Sequence, residues 1–208
     1  MDKRIIRDYI KLTFALIFVW LYIPHILAFL VKRTNNSFIG SSPMCGGGKH
    51  LIYSDLHRIG ATIRIPKRNF LLLIFLLHNS SYYRSLFYYR IGPAMALLIS
   101  WYRPGCKYFV IPYSTKIDSG LLFFHPFSTI LNAEKIGKNF TCGHNTTIGA
   151  TQKGRPCIGD NVSIGVGAIV IGKIKIGNNV VIGAGTVVTK DIPDNCVVVG
   201  SPLRIIQK

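Results

Sequence analysis

The stretch that decides the fold is IGDNVSIGVGAIVIGKIKIGNNVVIGAGTVV, residues 158–188. An aliphatic residue recurs in it at every sixth position, and a second set of mostly small or aliphatic residues follows at an offset of four. The first set is Ile158, Ile164, Val170, Ile176, Ile182 and Val188, and the second is Val162, Ala168, Ile174, Val180 and Thr186. A period of six fits neither the 3.6-residue turn of a helix nor the alternation of a hairpin. It indicates a parallel β-helix.

The corners of such a coil need residues that tolerate positive φ, and the sequence supplies them. Glycine follows the first set at Gly159, Gly165, Gly177 and Gly183, and pairs such as Asp160-Asn161 come next. Three hexapeptides close one triangular coil, and the aliphatic side chains stack inward. Because a single coil cannot bury its own inner face, stability comes from stacking on neighbours.

The period extends upstream through Ile130, Ile136, Cys142 and Ile148, after which the step to Ile158 takes ten residues. Four residues are therefore inserted within residues 150–157, and we expect a loop that projects from the coils. We predict a mainly β chain in which residues 110–208 form the β-helix and residues 1–109 form an α-helical N-terminal region.

The N-terminal region is basic and apolar. Residues 1–109 hold 15 Lys and Arg against three Asp and Glu, whereas residues 110–208 hold 10 against five. This charge favours an anionic partner: nucleic acid, an anionic membrane surface or a phosphate-bearing small molecule. Because no nucleic-acid-binding motif accompanies the charge, we expect no nucleic-acid partner.

Residues 12–31 carry no formal charge and are long enough to cross a bilayer. Pro24 and His25 interrupt the run, and basic residues flank it on both sides: Lys3, Arg4, Arg7 and Lys11 before it, Lys32 and Arg33 after it. Three interpretations stay open, namely a helix in the membrane interface, a span, and a helix buried against its own protein. Residues 70–77 suit a core helix, and the Tyr, Phe and Arg of residues 82–102 suit a lipid headgroup layer.

The five cysteines form an odd set without a C-x-x-C pair, so the sequence predicts neither a disulfide framework nor a zinc site. A reducing compartment and buried, unreactive thiols fit best. The five are Cys45, Cys106, Cys142, Cys157 and Cys196.

Four stretches carry a family resemblance: YYRSLFYYRIG (82–92), HPFSTILNAEKIGKNF (125–140), TTIGATQKGRPCIGDNVSIG (146–165) and IGAGTVVTKDIPDNCVVVGSPLRII (182–206). The sequence resembles hexapeptide-repeat acyltransferases, and within them the serine acetyltransferase-like group with its relatives in capsule and exopolysaccharide biosynthesis. The resemblance implies a left-handed β-helix, acetyl-CoA as co-substrate, and a homotrimer with active sites between neighbouring copies.

His125 occupies the motif position that holds the catalytic histidine of serine acetyltransferases. An imidazole there would deprotonate the acceptor hydroxyl as the hydroxyl attacks the thioester. Asp118, Glu134 and His144 are candidate orienting groups. Since no carboxylate joins His125 and His144 at ligand spacing, we predict no metal site.

The resemblance assigns coenzyme A to Val166, Ala184, Thr189, Lys190 and Arg204. Small residues would let the pantetheine arm run close to the backbone, and the cations would meet the phosphates. The small residues are Gly165, Gly183 and Ala184. Lys153 and Arg155 in the inserted loop are the candidate substrate-loop residues.

Two carboxylates of serine acetyltransferases are absent: the aspartate before the histidine and another about fifteen residues upstream correspond to Phe124 and Val110. Their loss predicts a different acceptor, a sugar hydroxyl of a surface polysaccharide or its lipid-linked precursor, modified at the inner face of the cytoplasmic membrane. The alternatives are a serine O-acetyltransferase and a non-catalytic, membrane-associated trimeric scaffold.

Overall fold

A computed structural model of the chain describes residues 3–34, 48–63 and 69–208. Contacts divide it into two units, Met1–Cys106 and Lys107–Lys208. The sequence-based division after residue 109 lies three residues further on, so the first strand, Phe109–Val110, belongs to the second unit. Cys45 lies outside the described residues, as do the side chains of Lys3, Arg4, Lys32 and Arg33.

The first unit is helical, and its charge-free run forms two helices rather than one. The helices are α1 (Lys3–Ile17), α2 (Ile23–Thr34), α3 (Gly48–Gly60), α4 (Asn69–Asn79), α5 (Ser81–Ile91) and α6 (Pro93–Ser100), with a 3-10 turn at Val19–Tyr22. Within the described part of the chain, no single helix is both long and apolar enough to cross a membrane. The pair Ile5–Ile17 and Val19–Leu30 meets that standard only when taken together, and it is bent by 73°.

Helix α4 is the centre of the helical unit. Six consecutive side chains, residues 72–77, are buried, and α1, α3 and α5 pack against the helix. The sequence of a helix that is buried on all sides is a continuous apolar run, without the period of an amphipathic helix. The predicted core helix is confirmed.

A buried polar cluster joins α2 to α5. His25 is fully buried, with Nε2 2.8 Å from the Tyr88 hydroxyl and Nδ1 3.2 Å from the Tyr102 hydroxyl. In α5, Arg90 donates two hydrogen bonds of 2.8 and 3.2 Å to the buried carboxylate of Asp55. Tyr88, Arg90 and Tyr102, three of the residues expected at a lipid headgroup layer, therefore make hydrogen bonds within the helical unit instead.

We expect the stability of the helical unit to fall in mild acid because of His25. Burial, with Arg84 and Arg103 nearby, lowers the pKa of its imidazole to about 4, whereas the unfolded chain titrates near 6.5. Between these values the unfolded chain binds more protons, so the free energy of unfolding rises with pH by up to about 3 kcal/mol and is then constant above about 6.5. Denaturant titrations at about pH 7 and pH 5 measure this change.

The variant His25→Asn tests that prediction, because it removes the titrating group and keeps a polar side chain. In this variant the free energy of unfolding should lose most of its dependence on pH. His78, whose pKa is also lowered by burial, continues to contribute in both proteins. Equal pH dependence in the two proteins would show that His25 is not the titrating group.

The second unit, residues 107–208, is a parallel β-solenoid of about five turns. Its strands are β1 (Phe109–Val110), β2 (Lys116–Ile117), β3 (Leu122–Phe123), β4 (Thr129–Leu131), β5 (Lys135–Ile136), β6 (Thr141–Cys142), β7 (Thr147–Gly149), β8 (Cys157–Ile158), β9 (Ser163–Ile164), β10 (Ile169–Ile171), β11 (Lys175–Ile176), β12 (Val181–Ile182), β13 (Val187–Val188), β14 (Cys196–Val199) and β15 (Arg204–Gln207). The prediction of a parallel β-helix preceded by a helical region is confirmed.

The strands form three faces. The first face has the order β1-β4-β7-β10-β13, the second β2-β5-β8-β11, and the third β3-β6-β9-β12-β14-β15. All pairings are parallel except β14 with β15. We call the turn from the first to the second face the first corner, from the second to the third the second corner, and from the third back to the first the third corner.

Both predicted sets of inward residues are buried, with exposed fractions between 0 and 8%. Ile130 is the exception upstream: its side chain is 42% exposed, and Leu131 points inward instead, opposite Ile148. In β4 both Thr129 and Leu131 are buried, so the step from Leu131 to Ile136 is five residues. The prediction for Ile130 is wrong because a shift of one residue moves a strand side chain to the opposite face.

Asparagines hold the second corner. Asn139, Asn161, Asn179 and Asn195 all have φ of 56° or 57°, a region that asparagine tolerates better than most residues. The side-chain amides of the first three each donate to the amide oxygen of the asparagine in the next coil, at 3.0 to 3.2 Å. The corner therefore has a continuous ladder of side-chain hydrogen bonds.

Candidate functional site

Four of the predicted site residues stack along the third corner. Strand pairing places Phe123, Cys142, Ile164 and Ile182 in register across the third face. Two positions after each of them, in successive coils, the chain has His125, His144, Val166 and Ala184, and all four are exposed. The structure thus brings the predicted base and part of the predicted coenzyme A surface onto one edge.

The backbone around His125 is tightly held. The residue has φ 48°, and its carbonyl accepts a hydrogen bond from Phe127 N at 2.6 Å. The Phe127 carbonyl in turn accepts from Asn145 N in the next coil at 2.8 Å. Left-handed backbone is uncommon for residues other than glycine, and these hydrogen bonds hold it here, so the corner fixes the position from which the exposed imidazole projects.

Exposed apolar side chains flank His125 in the chain. Phe124 and Phe127 are 48% and 52% exposed, and the Phe127 ring lies 4.9 Å from the ring of Tyr108, centroid to centroid. Val110 on β1 is also exposed. The two positions where the family has carboxylates are therefore exposed apolar side chains. The sequence reasoning did not identify Tyr108 and Phe127, because their proximity depends on the pairing of β1 with β4.

The glycines of the third corner are needed for coil stacking. A Cβ on Gly165 would lie 2.6 Å from the backbone nitrogen of Ala184, and one on Gly143 would lie 2.8 Å from the Val166 side chain. At Gly183 the nearest atom would be a Val199 methyl carbon at 2.9 Å. Close packing between coils thus explains Gly165 and Gly183 without a ligand, and it leaves Val166 and Ala184 as the exposed surface of the edge.

The first corner is basic. The inserted segment forms the predicted loop, closed by paired backbone hydrogen bonds between Thr151 and Gly154 at 2.9 and 3.1 Å. Arg155 donates to Ser114 Oγ at 2.9 Å. Lys173 and Lys190 occupy this corner in the following coils, with Thr189 beside Lys190, and all three are exposed. Lys173 was not predicted, although its spacing of about one coil from Arg155 and Lys190 would have identified it.

The remaining candidates lie elsewhere. Asp118 is buried at the second corner, where its carboxylate accepts from Ser119 N at 2.7 Å. Glu134 lies at the first corner, where the pKa of the Cys157 thiol is raised, first by burial and further by a hydrogen bond to the Glu134 carboxylate. Arg204 is exposed on β15 of the third face. Of the candidate orienting groups, only His144 shares the third corner with His125.

Metal ligands do not cluster in residues 3–34, 48–63 and 69–208: these contain no group of three or more His, Cys, Asp or Glu side chains placed to hold an ion. The cysteines of the same ranges, Cys106, Cys142, Cys157 and Cys196, are free thiols. Burial raises the pKa of Cys142 to about 12, so this thiol stays protonated and behaves as a small core residue.

Comparison with known proteins shows a similarity in the last coils of the solenoid. Residues 158–190 match the bacterial transferase hexapeptide, with six repeats. This stretch of the solenoid is therefore similar to the hexapeptide repeats of bacterial transferases. These repeats are the same residues that form the last coils of the solenoid, from β8 to the first corner after β13.

Similar proteins are serine acetyltransferases. The mitochondrial serine acetyltransferase 3 of Arabidopsis thaliana is 40% identical over 96 residues, 44% of this chain and 25% of that protein. A crystal structure of serine acetyltransferase from Neisseria gonorrhoeae has a TM-score of 0.61 at 25% identity, covering 77% of this chain and 65% of that one. Soybean serine acetyltransferase complexed with serine has a TM-score of 0.54 at 27% identity, covering 76% and 69%. The chain spans only about a quarter of the curated plant relative.

These relatives overturn the prediction of a sugar acceptor in polysaccharide biosynthesis. That prediction rested on two absent carboxylates, at Val110 and Phe124. An absent carboxylate indicates which contact a site has lost, but it does not identify the group that the site binds. The expected capsule and exopolysaccharide relatives are not among the similarities described above, and the serine acetyltransferases favour the alternative acceptor.

We expect Gly165→Ala to destabilise the solenoid by about 1–3 kcal/mol, because the added methyl group would press on the backbone of the next coil. Gly149→Ala is the matched control, since its Cβ would meet only side-chain atoms at 3.6 Å or more. Thermal or denaturant unfolding of both variants measures the difference. Equal stability would show that the coils can separate at this edge without cost.

Proposed function

We propose that the protein is an acetyl-CoA-dependent serine O-acetyltransferase. The observation that carries the proposal is the exposed His125 at one end of the edge formed with His144, Val166 and Ala184, in a chain whose relatives are serine acetyltransferases. Acetyl-CoA lies along the exposed part of this edge, and serine lies beside the imidazole.

The reaction needs one proton acceptor and one nucleophile. The His125 imidazole takes the proton of the serine hydroxyl as the oxygen attacks the thioester carbonyl, which forms a tetrahedral intermediate. Collapse of that intermediate breaks the carbon–sulfur bond and releases the coenzyme A thiolate. The imidazolium returns its proton to the sulfur, so the enzyme ends in its starting state. A rigid corner suits this role, since general base catalysis depends on the position of the base.

We place the phosphates of coenzyme A and the carboxylate of serine against cations of the first corner. Lys173 and Lys190 supply point charges for phosphate, and Arg155 supplies a planar donor group for a carboxylate. Strand order puts the first and third corners on different edges of the solenoid. A homotrimer, in which the first corner of one copy lies against the third corner of another, would complete the site. Free thiols and the use of acetyl-CoA favour the cytoplasm.

His125→Ala should lower kcat/KM for serine about a hundredfold to ten-thousandfold, because the hydroxyl loses its base. The measurement is O-acetylserine formation with acetyl-CoA, followed by mass spectrometry. Coenzyme A binding by calorimetry should change little, which separates loss of chemistry from loss of fold.

His144→Ala is the matched control, since it changes the same corner one coil away. A loss in His144→Ala as large as in His125→Ala would remove the assignment of the base to His125. If the unmodified protein formed no O-acetylserine, a serine acetyltransferase would be excluded. If in addition it bound no acetyl-CoA, the non-catalytic scaffold would be the better description.

The apolar neighbours of His125 predict weak binding of serine, whose ammonium group has no carboxylate partner at Val110 or Phe124. Phe124→Asp should raise kcat/KM for serine about tenfold, mainly through KM, because a charged hydrogen bond to the ammonium group replaces an apolar contact. Val187→Asp, another exposed apolar position on the solenoid, is the control and should leave the kinetics unchanged. No gain in Phe124→Asp would show that the ammonium group binds elsewhere.

A further inference from the structure

The outer side of α1 is as apolar as its inner side. Leu12 and Ala15 are buried on the side that packs against α4. On the opposite side, at a spacing of three or four residues, four large apolar side chains are 39 to 59% exposed: Ile6, Ile10, Phe14 and Ile17. This spacing places them on one helical stripe. A soluble helix normally carries polar residues there.

Large apolar side chains are also exposed beyond α1. In the 3-10 turn and α2, the exposed residues are Trp20, Ile23, Leu27 and Leu30, the last three again at helical spacing. At the end of α6, Leu97, Leu98 and Trp101 are 77%, 66% and 80% exposed. The Tyr102 hydroxyl donates to the Leu21 carbonyl, and α2 packs against α6. Trp101 and Trp20 therefore lie in the same part of the unit, and we call all these residues the outer apolar surface.

The helical unit as a whole has a large excess of positive charge. Residues 1–106 contain 14 Lys and Arg against three Asp and Glu. In the described part of this unit the carboxylates are Asp55, buried against Arg90, and Asp8, which lies 3.9 Å from Arg7. Arg7 and Lys11 are exposed on α1 beside the apolar stripe. A large apolar surface bordered by cations complements the surface of a bilayer that contains anionic lipid.

Two other occupants fit less well. One is the interior of a bilayer, with α1 as a membrane span. Helix α1 has 15 residues, about 22 Å, which is shorter than the hydrocarbon core, and its inner side is already packed against protein. The other is a second copy of the chain, which would bring another unit of net positive charge against the first, and like charges oppose that association. An anionic bilayer attracts the same charge.

We infer that the helical unit docks in the plane of a membrane surface that contains anionic lipid. The outer apolar surface enters the boundary between headgroups and acyl chains, where tryptophan is favoured, while Arg7 and Lys11 meet lipid phosphates. This docking does not depend on the reaction of the solenoid, so it can be tested on the purified chain without an activity measurement.

The experiment is flotation of the full chain with phosphatidylcholine vesicles, with and without about 30 mol% phosphatidylglycerol. The protein should float with the anionic vesicles and bind neutral vesicles at least tenfold more weakly. Raising the salt concentration to about 0.5 M should reduce binding, because it screens the lysine and arginine charges. Tryptophan fluorescence should shift to shorter wavelength and be quenched by brominated lipid.

Single substitutions locate the docking surface. Phe14→Ser and Trp101→Ser should each weaken the partition coefficient about tenfold, because each removes a large apolar side chain from the lipid boundary. Lys11→Glu should weaken it about fivefold or more. Since these side chains are exposed, folding measured by circular dichroism should not change. Val187→Ser on the solenoid is the control and should bind like the unchanged protein.

Three results would overturn the inference. One is equal flotation with neutral and anionic vesicles; another is unaltered binding in both Phe14→Ser and Trp101→Ser. The third is absence of vesicle binding together with a smaller sedimentation coefficient in those variants, which would identify the outer apolar surface as a contact between copies of the chain.

Discussion

Register between successive coils is the constraint on which the solenoid depends. Each strand inside a face hydrogen-bonds to the strands one turn earlier and one turn later, so Ile136, Ile158 and Ile176 are stacked by backbone pairing rather than by their own attraction. The aliphatic core follows from that stacking, and so do the corners. A column of identical corner positions exists only because every coil repeats the geometry of the one before.

Periodicity in the sequence predicted this repeat where the period is regular, from Ile158 to Val188, and it located the inserted loop. It failed at Ile130, because the first coils contain a five-residue step and period counting alone cannot detect a change of one residue. The helical unit was harder to predict. His25 meets Tyr88 across 63 positions and Arg90 meets Asp55 across 35, and no local pattern shows that such polar groups satisfy each other inside a core.

The candidate site, like the solenoid, was predicted only in part. Resemblance to a family motif identified His125, and resemblance to the family's tail assigned Val166 and Ala184 to coenzyme A; that the three residues share one edge followed only from the strand pairing. Asp118 and Glu134 were chosen by proximity in sequence, yet seven or nine residues along a coil bring a side chain to another corner, and the structure places both away from His125. The acceptor could not be derived from Val110 and Phe124. Both side chains are apolar and exposed. Such side chains disfavour the binding of charged groups, but they do not identify the acceptor that binds instead.

The antiparallel strand β15 ends the third face. A row of parallel strands presents unpaired amide and carbonyl groups at its last member, and such an edge can recruit a strand from any passing chain. Here β14 is covered along its whole length, from Cys196 opposite Gln207 to Val199 opposite Arg204. The strand that covers it is exposed and followed by Lys208. The strand that covers the third face carries the charged Arg204 on an exposed position, and a charged edge strand opposes pairing of this face with another chain.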